Sequence, residues 1–280
     1  MLTDITLIPA ETLGQGSTIG LEIVETDVDL YYHMAWTMAE ALQHNNAEGR
    51  PTVFIVPVGP VGQYLRFARI CNRYSISCRD LYLFNMDEYL DDAGNYIPKS
   101  HPLSFRGFMQ RELYQRLAPE LRPAADHIIF PDPHNPQATA ERIRQLGGVH
   151  IAFGGVGING HIAFNEPPEP GETMTNEDFK RLPTRVVHLA RETRTINAHT
   201  AASGDIEAIP HLAVTVGMKE ILAAGQLRFY MNRLWQRALV RKVLHGPVTP
   251  RLPASFLQEH PDARLIITAE VAQPPVLRLA

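Results

Sequence analysis

Short apolar runs recur along this chain with helix-length segments between them, and that alternation restricts the fold more than any other feature of the sequence. The runs are Val53-Phe54-Ile55-Val56, Leu81-Tyr82-Leu83-Phe84, Val149-His150-Ile151-Ala152-Phe153, Val186-Val187-His188-Leu189, residues 227–231 and residues 264–268, with a weaker β segment at 19–24. Four to six residues of this character read as strands buried in a sheet. Between the weaker segment at 19–24 and the run at 53–56, Thr26 or Asp27 is placed to cap a helix whose apolar face includes Leu30, Met34, Met38 and Leu42, each four residues from the last. Further helices are expected at 63–73, 104–117, 138–146, 219–223 and 236–244. The pattern predicts an α/β fold, a doubly wound, mostly parallel sheet with helices on both faces, Rossmann-like in the broad sense. At 280 residues, one large domain spanning 1–280 is expected rather than two small ones.

The chemistry sits where these runs end. The run at 149–153 leads into Gly155-Val156-Gly157-Ile158-Asn159-Gly160-His161-Ile162-Ala163-Phe164-Asn165-Glu166-Pro167, a glycine-rich turn that delivers an imidazole and a carboxylate five residues apart. The run at 81–84 leads into Asn85-Met86-Asp87-Glu88-Tyr89. Open α/β sheets bind ligands at the carboxyl ends of their strands, so both segments are site candidates. The first also matches the spacing G-x-G-x-x-G. That fingerprint needs a helix opening at its last glycine and an acidic strand end about twenty residues on. Here the chain continues into Phe164-Asn165-Glu166-Pro167-Pro168, so a nicotinamide cofactor is not expected. The proline-rich piece from Pro167 to Gly171 starts a loop reaching about residue 183, long enough to cover a site.

Composition narrows the partners. Twenty-six Lys and Arg against 30 Asp and Glu give a net charge of −4 without long runs, which argues against a nucleic-acid or anionic-membrane surface. An anionic ligand must therefore be met by a local pocket. Cys71 and Cys78 have no His or Cys partner at zinc spacing and are expected to be reduced thiols. None of the 12 histidines shows the helical spacing of a metal site, so no metal is expected. No basic region precedes an apolar core near the start, and no window approaches eighteen apolar residues; the expectation is a cytoplasmic chain without a membrane span.

The two long segments, Phe84-Asn85-Met86-Asp87-Glu88-Tyr89 and Gly160-His161-Ile162-Ala163-Phe164-Asn165-Glu166-Pro167, resemble the glucosamine-6-phosphate deaminase (isomerase) family. His101-Pro102-Leu103-Ser104-Phe105 with Phe108-Met109, Thr193-Arg194 with Asn197-Ala198, and Ala213-Val214-Thr215-Val216-Gly217 follow in the expected order. The similarity covers about residues 50 to 245. It implies an aldose–ketose isomerisation of an amino-sugar phosphate, either the gluco or the galacto epimer, with release of ammonia and without metal or organic cofactor. It implies Asp87 as the base that moves a proton from C2 to C1. His161 would move a proton between O1 and the ring oxygen, as an imidazole can near neutral pH, and Asn159 and Glu166 would orient and charge the ring. Gly59, Gly157, Ala163 and Glu88 are carried over as substrate-binding positions, Glu88 also as a hydrogen-bond partner within the protein. The resemblance also allows a homo-oligomer.

The phosphate end departs from the family pattern. Where a longer, Thr/Gly-rich turn is usual, this chain has Pro57-Val58-Gly59-Pro60-Val61-Gly62, which lacks a hydroxyl and loses one N–H donor to Pro60. The family's phosphate-binding arginine falls at His199 and its lysine at Arg237. Arg237 can still grip an oxyanion bidentately, and His199 only when protonated. The sequence leaves two accounts open: phosphate held by a rearranged set drawn from Arg237, His199, Arg194 and Arg185, or a substrate with a different distal group. Two other functions also stay open, a related sugar lactone hydrolase and a non-catalytic sugar-phosphate sensor.

Overall fold

The structure, a computed structural model, describes residues 4–277. Its strands are β1 (Gly20–Val24), β2 (Thr52–Val56), β3 (Leu81–Asn85), β4 (Asp87–Leu90), β5 (Ile128–Ile129), β6 (Ile151–Gly155), β7 (Arg185–His188), β8 (Leu212–Thr215), β9 (Gln226–Met231) and β10 (Ala263–Thr268). The α-helices are α1 (Asp27–Ala47), α2 (Gln63–Tyr74), α3 (Phe105–Met109), α4 (Gln137–Gln145), α5 (Asn176–Lys180), α6 (Arg191–Ala201), α7 (Met218–Leu222), α8 (Arg237–His245) and α9 (Ala269–Ala272). Seven strands form one sheet in the order β1-β10-β9-β6-β2-β3-β5, and every neighbouring pair is parallel.

The expected alternation is what builds this sheet. Along β2, Val53 and Ile55 enter one core cluster while Phe54 and Val56 enter the other, because successive strand side chains point to opposite faces. Helices α1 and α2 cover the second face through Leu30, Met34, Met38, Leu42, Phe67 and Ala68. The first is covered by α8 and α9 through Leu239, Val240, Val243 and Val271. Thr26 caps α1 in a capping box with Asp29, and the acidic first turn suits the positive end of the helix. Chain order reverses between β2, which leads outward to β3, and β6, which leads to the other half of the sheet. That switch point leaves a crevice at the carboxyl ends of the strands.

Three features differ from the sequence reading. A second, antiparallel sheet, β4-β8-β7, stands beside the main one with its own small core of Tyr89, Phe164, Leu189, Ile209 and Ala213. Only β7 was expected as a strand; β4 opens on Asp87 and Glu88 rather than on apolar residues, and β8 lies at a segment noted in the sequence only as part of a matching motif. The helix expected at 104–117 is shorter: α3 ends at Met109 and gives way to a π turn over Gln110–Tyr114. Helix α6 was not expected at all, since its buried positions are Thr193, Arg194 and Ala198 rather than an apolar stripe. Both cysteines are buried free thiols. Among the described residues, no helix is long and apolar enough to cross a membrane.

Candidate active site

The chain leaves β3 at Asn85, passes Met86, and enters β4 at Asp87, so Asp87 stands where the two sheets meet. Its register partner on β8 is Thr215, and the Thr215 hydroxyl accepts the backbone N–H of Phe164 at 3.0 Å. The small sheet thereby brings the segment after β6 against the segment after β3. Both then face one cavity of about 420 Å³, within the usual range for small-molecule sites. Asp87, Gly59, Gly157, His161 and Ala163 line it, as the sequence reading expected of a common site.

Asp87 is 8% exposed, and its carboxyl makes no hydrogen bond to any described residue. Burial, and secondarily the neighbouring Glu88 charge, push its pKa up to about 8. A carboxyl in that state is a strong base once ionised. Glu88, next in the chain, points the other way and is fully buried. It accepts from the backbone N–H groups of Tyr89, Phe105 and Arg106 at 2.9, 3.0 and 2.8 Å, from Ser104 Oγ at 2.9 Å and from Arg106 Nε at 3.3 Å. Five donors satisfy a buried charge, and Glu88 fixes the start of α3 rather than reaching the cavity. The substrate-binding role carried over to Glu88 is not supported by this placement.

After β6 the chain turns tightly, Gly160 N–H donating to Gly157 O at 2.9 Å and Gly157 N–H to His161 O at 3.0 Å. Gly160 has φ +85°, a left-handed conformation natural to glycine. No helix opens before α5, so the glycine pattern is a turn and not a dinucleotide fingerprint. His161 Nδ1 lies 2.8 Å from Asn159 Oδ1, 3.1 Å from Glu166 Oε2 and 3.1 Å from Thr193 Oγ1. Two of these are obligate acceptors, which places the proton on Nδ1 and leaves Nε2 as the free nitrogen. That nitrogen lies over Gly157: a Cβ there would sit 2.0 Å from it, so only glycine leaves the ring its place. Asn159 Nδ2 also donates to Glu166 Oε2 at 2.7 Å. Burial pushes the Glu166 carboxyl up, but the His161 charge and hydrogen bonds from His161, Asn159 and Thr193 outweigh it and hold the pKa down at about 2. Asn159 and Glu166 stand behind the imidazole rather than in the cavity wall. Thr193 was noted in the sequence only as part of a matching motif; its place beside the imidazole comes from α6, whose helical character the sequence hides.

The phosphate candidates fare differently. His199 is exposed on α6 and outside the cavity wall. Arg237 is turned to α9, donating from Nε to Glu270 O at 2.9 Å. Arg194 serves Ile209 O and Ile206 O, and Arg185 serves Asn165 Oδ1 at 2.7 Å. None of these four lines the cavity. The loop expected to cover the site is also elsewhere. Arg251 donates to Pro168 O and Glu172 O at 2.9 and 2.7 Å, and Lys180 meets Glu259 at 2.9 Å, so the loop is tied to the 248–259 segment. The wall it was expected to supply comes instead from residues 102–105 with Phe108, and from Asn197, Thr200 and Ala201 of α6.

This arrangement can be set beside known proteins. The chain is 35% identical over 221 residues to glucosamine-6-phosphate deaminase 2 of Bacillus subtilis, an alignment covering 76% of this chain and 81% of that protein. It belongs to the glucosamine-6-phosphate deaminase family. A solved member of that superfamily, a monomeric glucosamine-6-phosphate deaminase, superposes with a TM-score of 0.76 at 25% identity, covering 91% of this chain and 99% of the other. The fold is shared more widely: 6-phosphogluconolactonase from Trypanosoma brucei gives a TM-score of 0.65 at 15% identity, covering 92% of this chain and 98% of that one. No family model matches the chain. Membership in the deaminase family accounts for the two strand-end segments, which the sheet brings to one cavity.

Proposed function

We propose that this protein converts an amino-sugar phosphate, glucosamine-6-phosphate or its galacto epimer, to a ketose phosphate and ammonia. The observation that carries the reading is that Asp87 and His161 open on one cavity with complementary preparation. Asp87 is unbonded and basic, and His161 is locked at Nδ1 with Nε2 free. In the closed sugar, His161 Nε2 takes the O1 proton and returns it to the ring oxygen, opening the ring. Asp87 then removes the C2 proton while the substrate's ammonium group passes one to O1, giving an enol-amine, and Asp87 returns its proton to C1. Water adds to the resulting ketose imine at C2 and ammonia leaves. The substrate's ammonium group, next to C2, favours ionised Asp87 through an opposite charge. Glu166 and Asn159 hold the imidazole as it gains and loses charge. Relatives named as deaminases support this over lactone hydrolysis, whose structural likeness lies at 15% identity. A small-molecule substrate and a cytoplasmic setting fit the same reading.

The test is an incubation of purified protein with glucosamine-6-phosphate and with galactosamine-6-phosphate, following ammonia and ketose phosphate together, with Asp87→Asn as control. Both products should appear in equal amounts and vanish in the variant. Hydrolysis of a sugar-phosphate lactone without ammonia, or ligand binding without turnover, would replace this reading with one of the two others.

A further inference from the structure

The cavity holds one Arg or Lys among its lining residues, and it is none of the four sequence candidates. Arg233 follows β9 and lies in the cavity wall. Its guanidinium makes no hydrogen bond or ion pair with any described residue, unlike Arg185, Arg194 and Arg237. Its backbone, by contrast, is fixed. Arg233 N–H donates to Gln236 Oε1 at 2.8 Å, and Gln236 Nε2 donates to Val156 O at 2.7 Å, joining the end of β9 to the turn after β6. On a residue of the cavity wall, a held backbone with an unoccupied guanidinium leaves every side-chain donor available to a ligand at the cavity mouth.

Its surroundings suit the non-reacting end of an anionic sugar. Next to it, Asn232 donates to the Tyr31 hydroxyl at 3.3 Å, and the Tyr31 ring packs where a Cβ on Gly62 would lie 2.8 Å away. Tyr31 thus connects Arg233's neighbourhood to the start of α2, which no side chain caps. Arg233 also contributes to the charge environment of the Tyr31 hydroxyl, whose pKa burial and Asp27 push up and Arg233 draws back. In sheet order β9 is separated from β3, which leads to Asp87, by β6 and β2. Three strand spacings amount to roughly 14 Å. An open six-carbon sugar with a terminal phosphate, met by one side chain at each end, fills such a span.

We propose that Arg233 is the specificity-determining residue that grips the substrate's distal phosphate, in place of the side chains at His199 and Arg237. This rests on the proposed function for the identity of the substrate, but not for the anion itself. Arg233 forms charge-assisted hydrogen bonds to two phosphate oxygens. The short turn at Gly59 gives the phosphate room rather than donors, since nothing lies within 4 Å of where a Gly59 Cβ would be.

Three variants, Arg233→Gln, Arg237→Gln and His199→Gln, are compared with wild type for turnover of glucosamine-6-phosphate and for binding of inorganic phosphate by calorimetry. Loss of a charge-assisted contact is expected to raise KM and the phosphate Kd about 10- to 100-fold in Arg233→Gln, with kcat within about threefold. Arg233→Lys should recover part of that loss, which a general disturbance of folding would not allow. The other two variants should stay within about twofold of wild type. Phosphate binding that is equal in wild type and Arg233→Gln, or absent from both, overturns the proposal, as does a loss confined to Arg237→Gln or His199→Gln. A wild type that binds phosphate through Arg233 yet releases no ammonia overturns the proposed reaction alone and leaves the anion site standing.

Discussion

Asp87 and Glu166 are both carboxylates withdrawn from solvent, each a short way beyond the end of a parallel strand, yet one has its pKa pushed up to about 8 and the other held down at about 2. Burial acts in the same direction on both. What separates them is company: Asp87 has no donor among the described residues and a like charge next door in Glu88, whereas Glu166 receives His161 and Asn159. An unsatisfied buried carboxyl is a destabilising feature that persists where chemistry uses it. Glu166, bonded through Oε2 while its Oε1 is buried without a partner, supports a neighbour. In the reaction proposed above, that difference divides the roles: Asp87 is the group to exchange protons, and Glu166 the one to keep its charge while the imidazole changes.

The comparison breaks most severely if Asp87 is neutralised. Asp87→Asn should lower kcat by roughly 10³-fold or more, in the range of losing a general base, as read from ammonia release. The same variant should be more stable than wild type at pH 8. Burial raises the Asp87 pKa above its unfolded value near 4, so between about pH 4 and 8 the folded state binds the extra proton and stability falls as pH rises. Removing the charge removes that slope, and a gain of roughly 3–10 °C in Tm at pH 8 is expected. A variant that is inactive and less stable would mean that the Asp87 carboxylate is a structural partner.

Gly157→Ala comes next. Its methyl would occupy the space of His161 Nε2, so the ring must turn out of its three contacts and kcat should drop on the order of 10²-fold. Unchanged kcat would show that the imidazole is not needed where the structure holds it. A smaller loss, about 10- to 100-fold, is expected for Glu166→Gln, which keeps the shape but takes the charge away from Nδ1. Finally, kcat/KM of the wild type should rise with pH and be half-maximal around pH 8, as Asp87 in the free enzyme loses its proton. Glu166, ionised down to about pH 2, adds no limb of its own in the accessible range. A profile flat from pH 6 to 9 would remove the claim that Asp87 is the titrating base.

Much of this was legible in the residues. The helix face at Leu30, Met34, Met38 and Leu42 gave α1, and the seven apolar runs gave β7 and six of the seven strands of the main sheet, because the central strands of a parallel sheet, buried on both faces, write themselves as short continuous apolar segments; β5, two residues long, left no such run. Asp87, His161 and Glu166 could be singled out because strand ends followed by glycine or by consecutive acids are unusual in a core. Apart from β7, the small antiparallel sheet could not be read, since β4 and β8 owe their burial to pairing between distant segments, Asp87 with Thr215 through Leu90 with Leu212, and not to a local period. Helix α6 was hidden for the same reason, its inner face being threonine, arginine and alanine. The anionic end was misplaced because charge in a sequence says nothing about direction: Arg194 and Arg237 point at backbone carbonyls, while Arg233, which no motif marks, points at none.

By itself, then, the sequence determined the parallel α/β sheet, the ends of it that carry chemistry and the family to which they are similar, because hydrophobic periodicity and local turn residues are properties of neighbours in the chain. Only the tertiary structure decided which of two adjacent carboxylates meets the cavity, which helix stands behind the imidazole and which arginine lines the cavity. Those outcomes depend on donors and walls supplied from distant segments, by the pairing of Asp87 with Thr215 and the reach of Thr215 to Phe164.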